Sequence, residues 1–213
     1  RDGRATTGHA VMKNEVVIVR TGSANLASVV AAFERAGAEV RLTRDRAVVD
    51  TASRLVVPGV GAFGSVCRSL ERHDLGPAIA DRIHAGRSTL AICLGLQILA
   101  ESSEENPDVH GLGVLQERVT RFADGLRVPQ LGWNRVVAGD DARLLEDGVA
   151  YFANSYKLDR IPEGWSGATA DHGGPFVAAL ERGSVLACQF HPELSGSWGQ
   201  RLIERWLAAG EVS

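Results

Sequence analysis

The chain has 213 residues, the size of one large domain or two small ones, and its 23 Lys and Arg against 26 Asp and Glu leave a net charge of −3. With 45% hydrophobic and 23% charged residues the composition is ordinary for a globular fold and excludes disorder, collagen and coiled coil. The balanced charge gives no footprint for nucleic acid, and no apolar run approaches the roughly 18 to 20 residues of a spanning helix, so a soluble, cytoplasmic chain is expected.

Residues 1–14 are polar and aperiodic, with Met12 among them, and read as a disordered lead or an expression remnant; a single domain is expected over 15–213. Residues 16–19 (Val-Val-Ile-Val) are too continuously apolar for a half-exposed strand, and Leu26, Val29, Val30 and Phe33 follow at helical spacing before a stop at Gly37. Strand signals recur at 40–42, 54–57 and 89–92, with helices between them that include one over 70–85. This alternation predicts an α/β fold whose first half is a parallel sheet covered on both faces. Gly and Pro break 114–137 and 151–189 into short runs more typical of hairpins and a mixed sheet, and a terminal amphipathic helix begins near Gly199.

Chemistry concentrates in two places. Residues 90–99 pass from a strand, through Cys93, into a helical period; a sharp strand-to-helix turn there exposes a nucleophile and leaves the Leu94 amide free to face an oxyanion. A helix N-terminus favours thiolate, and Gly95 suits a tight turn, although Ala91 stands where such turns usually carry glycine. The alternative for this segment is a small buried cysteine at a strand end. In Gln189-Phe190-His191-Pro192-Glu193, residues two apart on an extended chain share a side, so Glu193 can reach behind the His191 ring and hold one tautomer. Taken alone, this pair also fits a strand-end histidine beside a solvated carboxylate. Cys93, His191 and Glu193 together supply a nucleophile, a proton shuttle and an orienting acid for acyl transfer. Pro58-Gly59-Val60-Gly61 after the third strand suits either a second oxyanion donor or a simple βα turn. Cys67 and Cys188 read as packing residues and His73, His84, His110 and His172 as surface groups; no disulfide framework, metal spacing or cofactor is expected.

Residues 58–61, 92–97 and 189–193 resemble, in order, the three signatures of the class I glutamine amidotransferases. Asn25-Leu26, Val128-Pro129 with Leu131-Gly132-Trp133-Asn134, and Tyr151-Phe152 with Ser155-Tyr156 further resemble the glutaminase subunits of imidazole glycerol phosphate synthases. The resemblance implies a flavodoxin-like, mostly parallel sheet flanked by helices with a smaller mixed sheet. It also implies hydrolysis of glutamine to glutamate, with ammonia channelled to a (β/α)8-barrel cyclase, the heterodimer partner, in histidine biosynthesis. Carried over by position, Cys93, His191 and Glu193 would be catalytic and the backbone at Val60 and Leu94 the oxyanion hole. Gly59, Gln97, Ser155 and Tyr156 would hold glutamine, and Gln130, Trp133, Asn134, Asn154 and Leu194 would lie toward the cyclase. The chain departs from the pattern at Arg20-Thr21-Gly22, where an Asp-Tyr-Gly-like turn is usual, at Gln130 and Asn154, where histidines are common, and at Leu194, commonly lysine. The competing readings are a γ-glutamyl hydrolase or other amidotransferase on the same fold, and a catalytically silent regulatory partner.

Overall fold

The computed structural model describes residues 14–22 and 25–209; residues 1–13, where most of the disordered lead was expected, 23–24 and 210–213 lie outside it. In chain order the first half comprises β1 (Glu15–Val19), α1 (Leu26–Arg35), β2 (Glu39–Thr43), α2 (Arg46–Thr51), β3 (Leu55–Gly59), α3 (Phe63–Arg72), α4 (Gly76–His84) and β4 (Thr89–Cys93). There follow α5 (Leu94–Gln97), β5 (Ala100–Ser103), β6 (Leu115–Arg121), β7 (Gln130–Ala138), β8 (Gly148–Asn154) and β9 (Tyr156–Lys157). The chain closes with β10 (Ser166–Asp171), β11 (Pro175–Arg182), β12 (Val185–Cys188) and α6 (Gly196–Ala209).

Nine strands form one sheet in the order β2-β1-β3-β4-β12-β11-β10-β7-β8. It is parallel from β2 to β12 and antiparallel beyond. The small mixed sheet is β5-β6-β9. The hairpin-like second half therefore contributes chiefly to the same large sheet, which it enters when β12 pairs in parallel with β4. Continuous apolar strands explain the centre: β3 and β4 are buried at every position, while charged β2 takes the edge.

Successive side chains of a strand face opposite ways, and the core splits accordingly. Val16, Ile18, Val56, Leu90 and Ile92 pack with Phe33 of α1 and Leu202, Ile203 and Trp206 of α6. Val17, Val19, Leu55, Val57 and Ala91 pack with Phe63, Val66 and Leu70 of α3 and Ile79 and Ile83 of α4. The single helix expected over 70–85 is instead two. Asp74 adopts φ 52°, which ends α3, and Pro77, tolerated in the first turn of a helix, opens α4. The helical period after Cys93 also stops early: α5 is one turn, and β5 starts at Ala100.

Candidate active site

Cys93 ends the central strand β4, where ligands of parallel sheets usually bind, and its backbone turns there with φ 56° and ψ −108°. Such a left-handed φ on a residue with a Cβ is strained and persists only where the surroundings enforce it. The enforcing contacts are visible. A Cβ on Gly95 would sit 2.0 Å from the Val57 carbonyl oxygen, and one on Gly59 would sit 2.8 Å from Leu94 Cβ. Glycine at 95 thus serves close approach of α5 to β3, and Cys93 itself takes the unusual turn conformation expected of the glycine. With only four residues, α5 provides little of the helix field that the sequence suggested.

His191 follows β12, the parallel neighbour of β4, which brings it to the same sheet edge as Cys93. Its main chain is fixed at both ends: its N–H donates to the Tyr151 carbonyl (2.9 Å), and the Ser195 hydroxyl donates to its carbonyl (2.6 Å) while accepting from Tyr151 N–H (2.9 Å). Glu193 does not reach back along an extended strand. It lies in a 3-10 turn, Pro192–Leu194, and its Oε1 is 2.8 Å from His191 Nδ1, with both side chains buried. Cys93 and His191 line the same cavity. Burial alone would lower the His191 pKa, but the interactions of the ring with Cys93 and Glu193 prevail and raise it to about 10. Burial pushes Cys67 up to about 11 and Cys188 well above its ordinary range, as befits packing residues.

A cavity of about 200 Å3 opens over these groups, walled by Val60, Leu94, Gln97, Ser155, Tyr156 and Asn154 as well as Cys93 and His191. Gly59 is not in its wall; it stands opposite Cys93 in the β3–β4 register, behind the site. The Gln97 amide donates to the Tyr156 carbonyl (3.0 Å) and to Gln189 Oε1 (2.9 Å), and Gln189 Nε2 lies 3.7 Å from the Cys93 sulfur. Gln97 therefore ties the turn after Cys93 to β9. Glu105 was not anticipated from sequence. It lines the cavity and accepts from the Phe63 N–H at the start of α3 (2.7 Å), a placement that no local pattern signals.

The residues expected toward a partner divide. Trp133 is 59% exposed and packs edge-on against Tyr151; Leu131 (66%) and Leu194 (39%) are also open. Gln130 and Asn154, in contrast, are buried, because their strand register turns them to the side of Val136 and Phe152. Asn134 is half-buried, with its amide donating to the Asp171 carbonyl (2.7 Å). His172 is also half-buried rather than free at the surface: its ring packs on Phe122 and its Nε2 is 3.0 Å from the Arg127 carbonyl oxygen.

Residues 17–209 match the family model described as glutamine amidotransferase class-I. The chain belongs to the class I glutamine amidotransferases. Among curated relatives, this amidotransferase is 39% identical over 195 residues to "Imidazole glycerol phosphate synthase subunit HisH" of Methanothermobacter thermautotrophicus, a match covering 90% of this chain and 97% of that protein. It is 42% identical to the protein of the same name from Deinococcus radiodurans, over 89% and 91% of the two chains. It is also 38% identical to "Imidazole glycerol phosphate synthase hisHF, chloroplastic" of Arabidopsis thaliana, where the match covers 90% of this chain but 34% of the longer protein. A solved glutamine amidotransferase shares the fold, with a TM-score of 0.74 at 24% identity over 92% of this chain and 99% of that one.

Proposed function

We propose that the chain is the glutaminase subunit of an imidazole glycerol phosphate synthase. In this reading it hydrolyses glutamine through Cys93, His191 and Glu193 and passes the ammonia to a (β/α)8-barrel cyclase in histidine biosynthesis, as a cytoplasmic heterodimer with lyase activity in the partner. The observation that carries the chemistry is a buried His191 bonded at Nδ1 to Glu193 and sharing the wall of one cavity with Cys93. The assignment to this synthase is supported by relatives named as its subunit and by one in which a HisH-like region forms a third of a longer hisHF chain. Among the described residues no helix is long and apolar enough to cross a membrane.

The raised pKa sets the order of steps. At neutral pH His191 is an imidazolium, and such a cation beside a cysteine supplies a thiolate nucleophile. The sulfur attacks the glutamine amide carbon, and the developing oxyanion lies near the backbone at Val60 and Leu94. Collapse breaks the C–N bond as His191 gives its proton to the leaving nitrogen, which departs as ammonia. Water then adds to the thioester carbon, returning a proton to His191 and releasing glutamate and the thiolate. Glu193 stabilises the imidazolium at the start and end of this cycle. Around the substrate, the Glu105 carboxylate suits the α-ammonium group, while Gln97, Ser155 and Tyr156 surround the remainder.

Glutamate production by the isolated chain and by its complex with the cyclase, with and without the cyclase's acceptor, tests the assignment. Low activity alone and higher activity in the acceptor-loaded complex are expected. Full activity alone, unchanged by the cyclase, would favour a free-standing hydrolase.

A further inference from the structure

Gln130 of β7 stands directly opposite Asn154 of β8, and the two side chains are 6% and 3% exposed. Three of their polar atoms, Gln130 Oε1 and Nε2 and Asn154 Oδ1, have no hydrogen-bond partner among the described residues. Leaving buried polar groups unpaired is costly, so packing alone would favour an apolar pair here. Their setting suggests what the amides are for. Asn154 lines the catalytic cavity with Cys93 and His191, whereas Gln130 lines a second cavity of about 380 Å3 together with Pro129, Leu131, Trp133 and Asn134. The facing pair thus joins the wall of the cavity that holds Cys93 to the wall of the cavity that Leu131 and Trp133 also line.

We propose that the Gln130–Asn154 amide pair is a relay that binds neutral ammonia and passes it from the catalytic cavity to the Trp133 face. The inference rests on the glutaminase-subunit reading and deepens it. Ammonia has three N–H donors and one lone pair. Asn154 Nδ2 is already committed to the Tyr156 carbonyl (3.0 Å), which leaves its oxygen as the spare group. Asn154 Oδ1 and Gln130 Oε1 can accept from ammonia, and Gln130 Nε2 can donate to its lone pair. Ammonium has no lone pair for that donor, so the pair favours the uncharged form, the only one that can act as a nucleophile downstream. Water has the same hydrogen-bonding character, so the alternative is that the pair holds only a structural water.

The test uses the full chain in complex with its cyclase, and Gln130→Met, which keeps the side-chain length while removing both polar atoms. Glutamate and cyclised product are measured with glutamine as the sole nitrogen source, and product is measured again with saturating ammonium salt. In the variant, product per glutamate should fall at least about two-fold, with free ammonium making up the difference, because an apolar side chain cannot replace the relay's hydrogen bonds. Ammonium-driven product formation should be unchanged, and Gln130→His, which restores a ring donor and acceptor, should recover the coupling. Product per glutamate equal to that of the parent in Gln130→Met, whether or not glutamine hydrolysis slows, would overturn the relay. A parent complex that makes glutamate but no cyclised product would overturn the subunit reading itself, a result seen before any variant is compared.

Discussion

Glu193→Gln removes one negative charge from behind His191 with almost no change in shape. The Oε1 to Nδ1 bond is 2.8 Å, and the two side chains are 3% and 7% exposed, so solvent screens the pair little. A hydrogen bond to a charged group is worth about 1.5–3 kcal/mol and a neutral one about 0.5–1.5, so the imidazolium should lose on the order of 1–1.5 kcal/mol, about one pKa unit. The His191 pKa should then move from about 10 toward neutrality, carrying with it the alkaline limb of kcat/KM. A second penalty is built into the site. Glu193 Oε2 is buried with no partner among the described residues, so an amide nitrogen there is left unpaired, or else the amide rotates and offers Nδ1 a donor, which enforces the wrong tautomer. Turnover near pH 7 should fall roughly 10- to 100-fold, less than in His191→Ala, where the proton donor is gone. Glutamate release from pH 6 to 11, in the partner complex, measures both effects. An unmoved alkaline limb, or a loss as deep as that of His191→Ala, would refute the argument. Stability carries the same signature. Because folding raises this pKa from 6.5, its contribution is complete below about pH 6.5 and is lost as pH rises through about 10, and that alkaline loss should be smaller in Glu193→Gln.

Cys93→Ala should abolish glutamine hydrolysis, keep the fold, and leave the complex able to make product from added ammonium salt; an electrophilic glutamine analogue should label Cys93 in the parent, and peptide mapping that found Cys67 or Cys188 labelled first would remove the nucleophile assignment. Trp133→Ala should weaken cyclase binding by about 30-fold or more, as expected for an exposed aromatic anchor, while shifting the chain's own stability by less than about 0.5 kcal/mol; titration calorimetry and urea unfolding separate the two. Leu194, 39% exposed beside the catalytic turn, offers a partner only apolar contact, so Leu194→Lys should change the stimulation of glutaminase by acceptor-loaded cyclase more than it changes the unfolding midpoint.

The sequence by itself determined the strands of the parallel half, because continuous β-branched runs such as 16–19 have a readable period and are too apolar for a surface. It also singled out the groups proposed to react, since Cys93 and the His191 to Glu193 segment carry their chemistry in neighbouring residues. What joins them is not local. Cys93 and His191 meet because β12 slots in parallel beside β4, a pairing set by the fit of distant apolar strands and invisible to any short window. The same limit hid the break at Asp74, where a single left-handed residue interrupts a helical pattern, and the arrival of Glu105 in the cavity from a loop. Gln130 and Asn154 are the sharpest case. Polar residue types point outward on average, but in a strand the register decides the side, and these two share the face of Val136 and Phe152. Only the tertiary structure could turn them inward, where Asn154 joins the wall of the Cys93 cavity and Gln130 that of its neighbour.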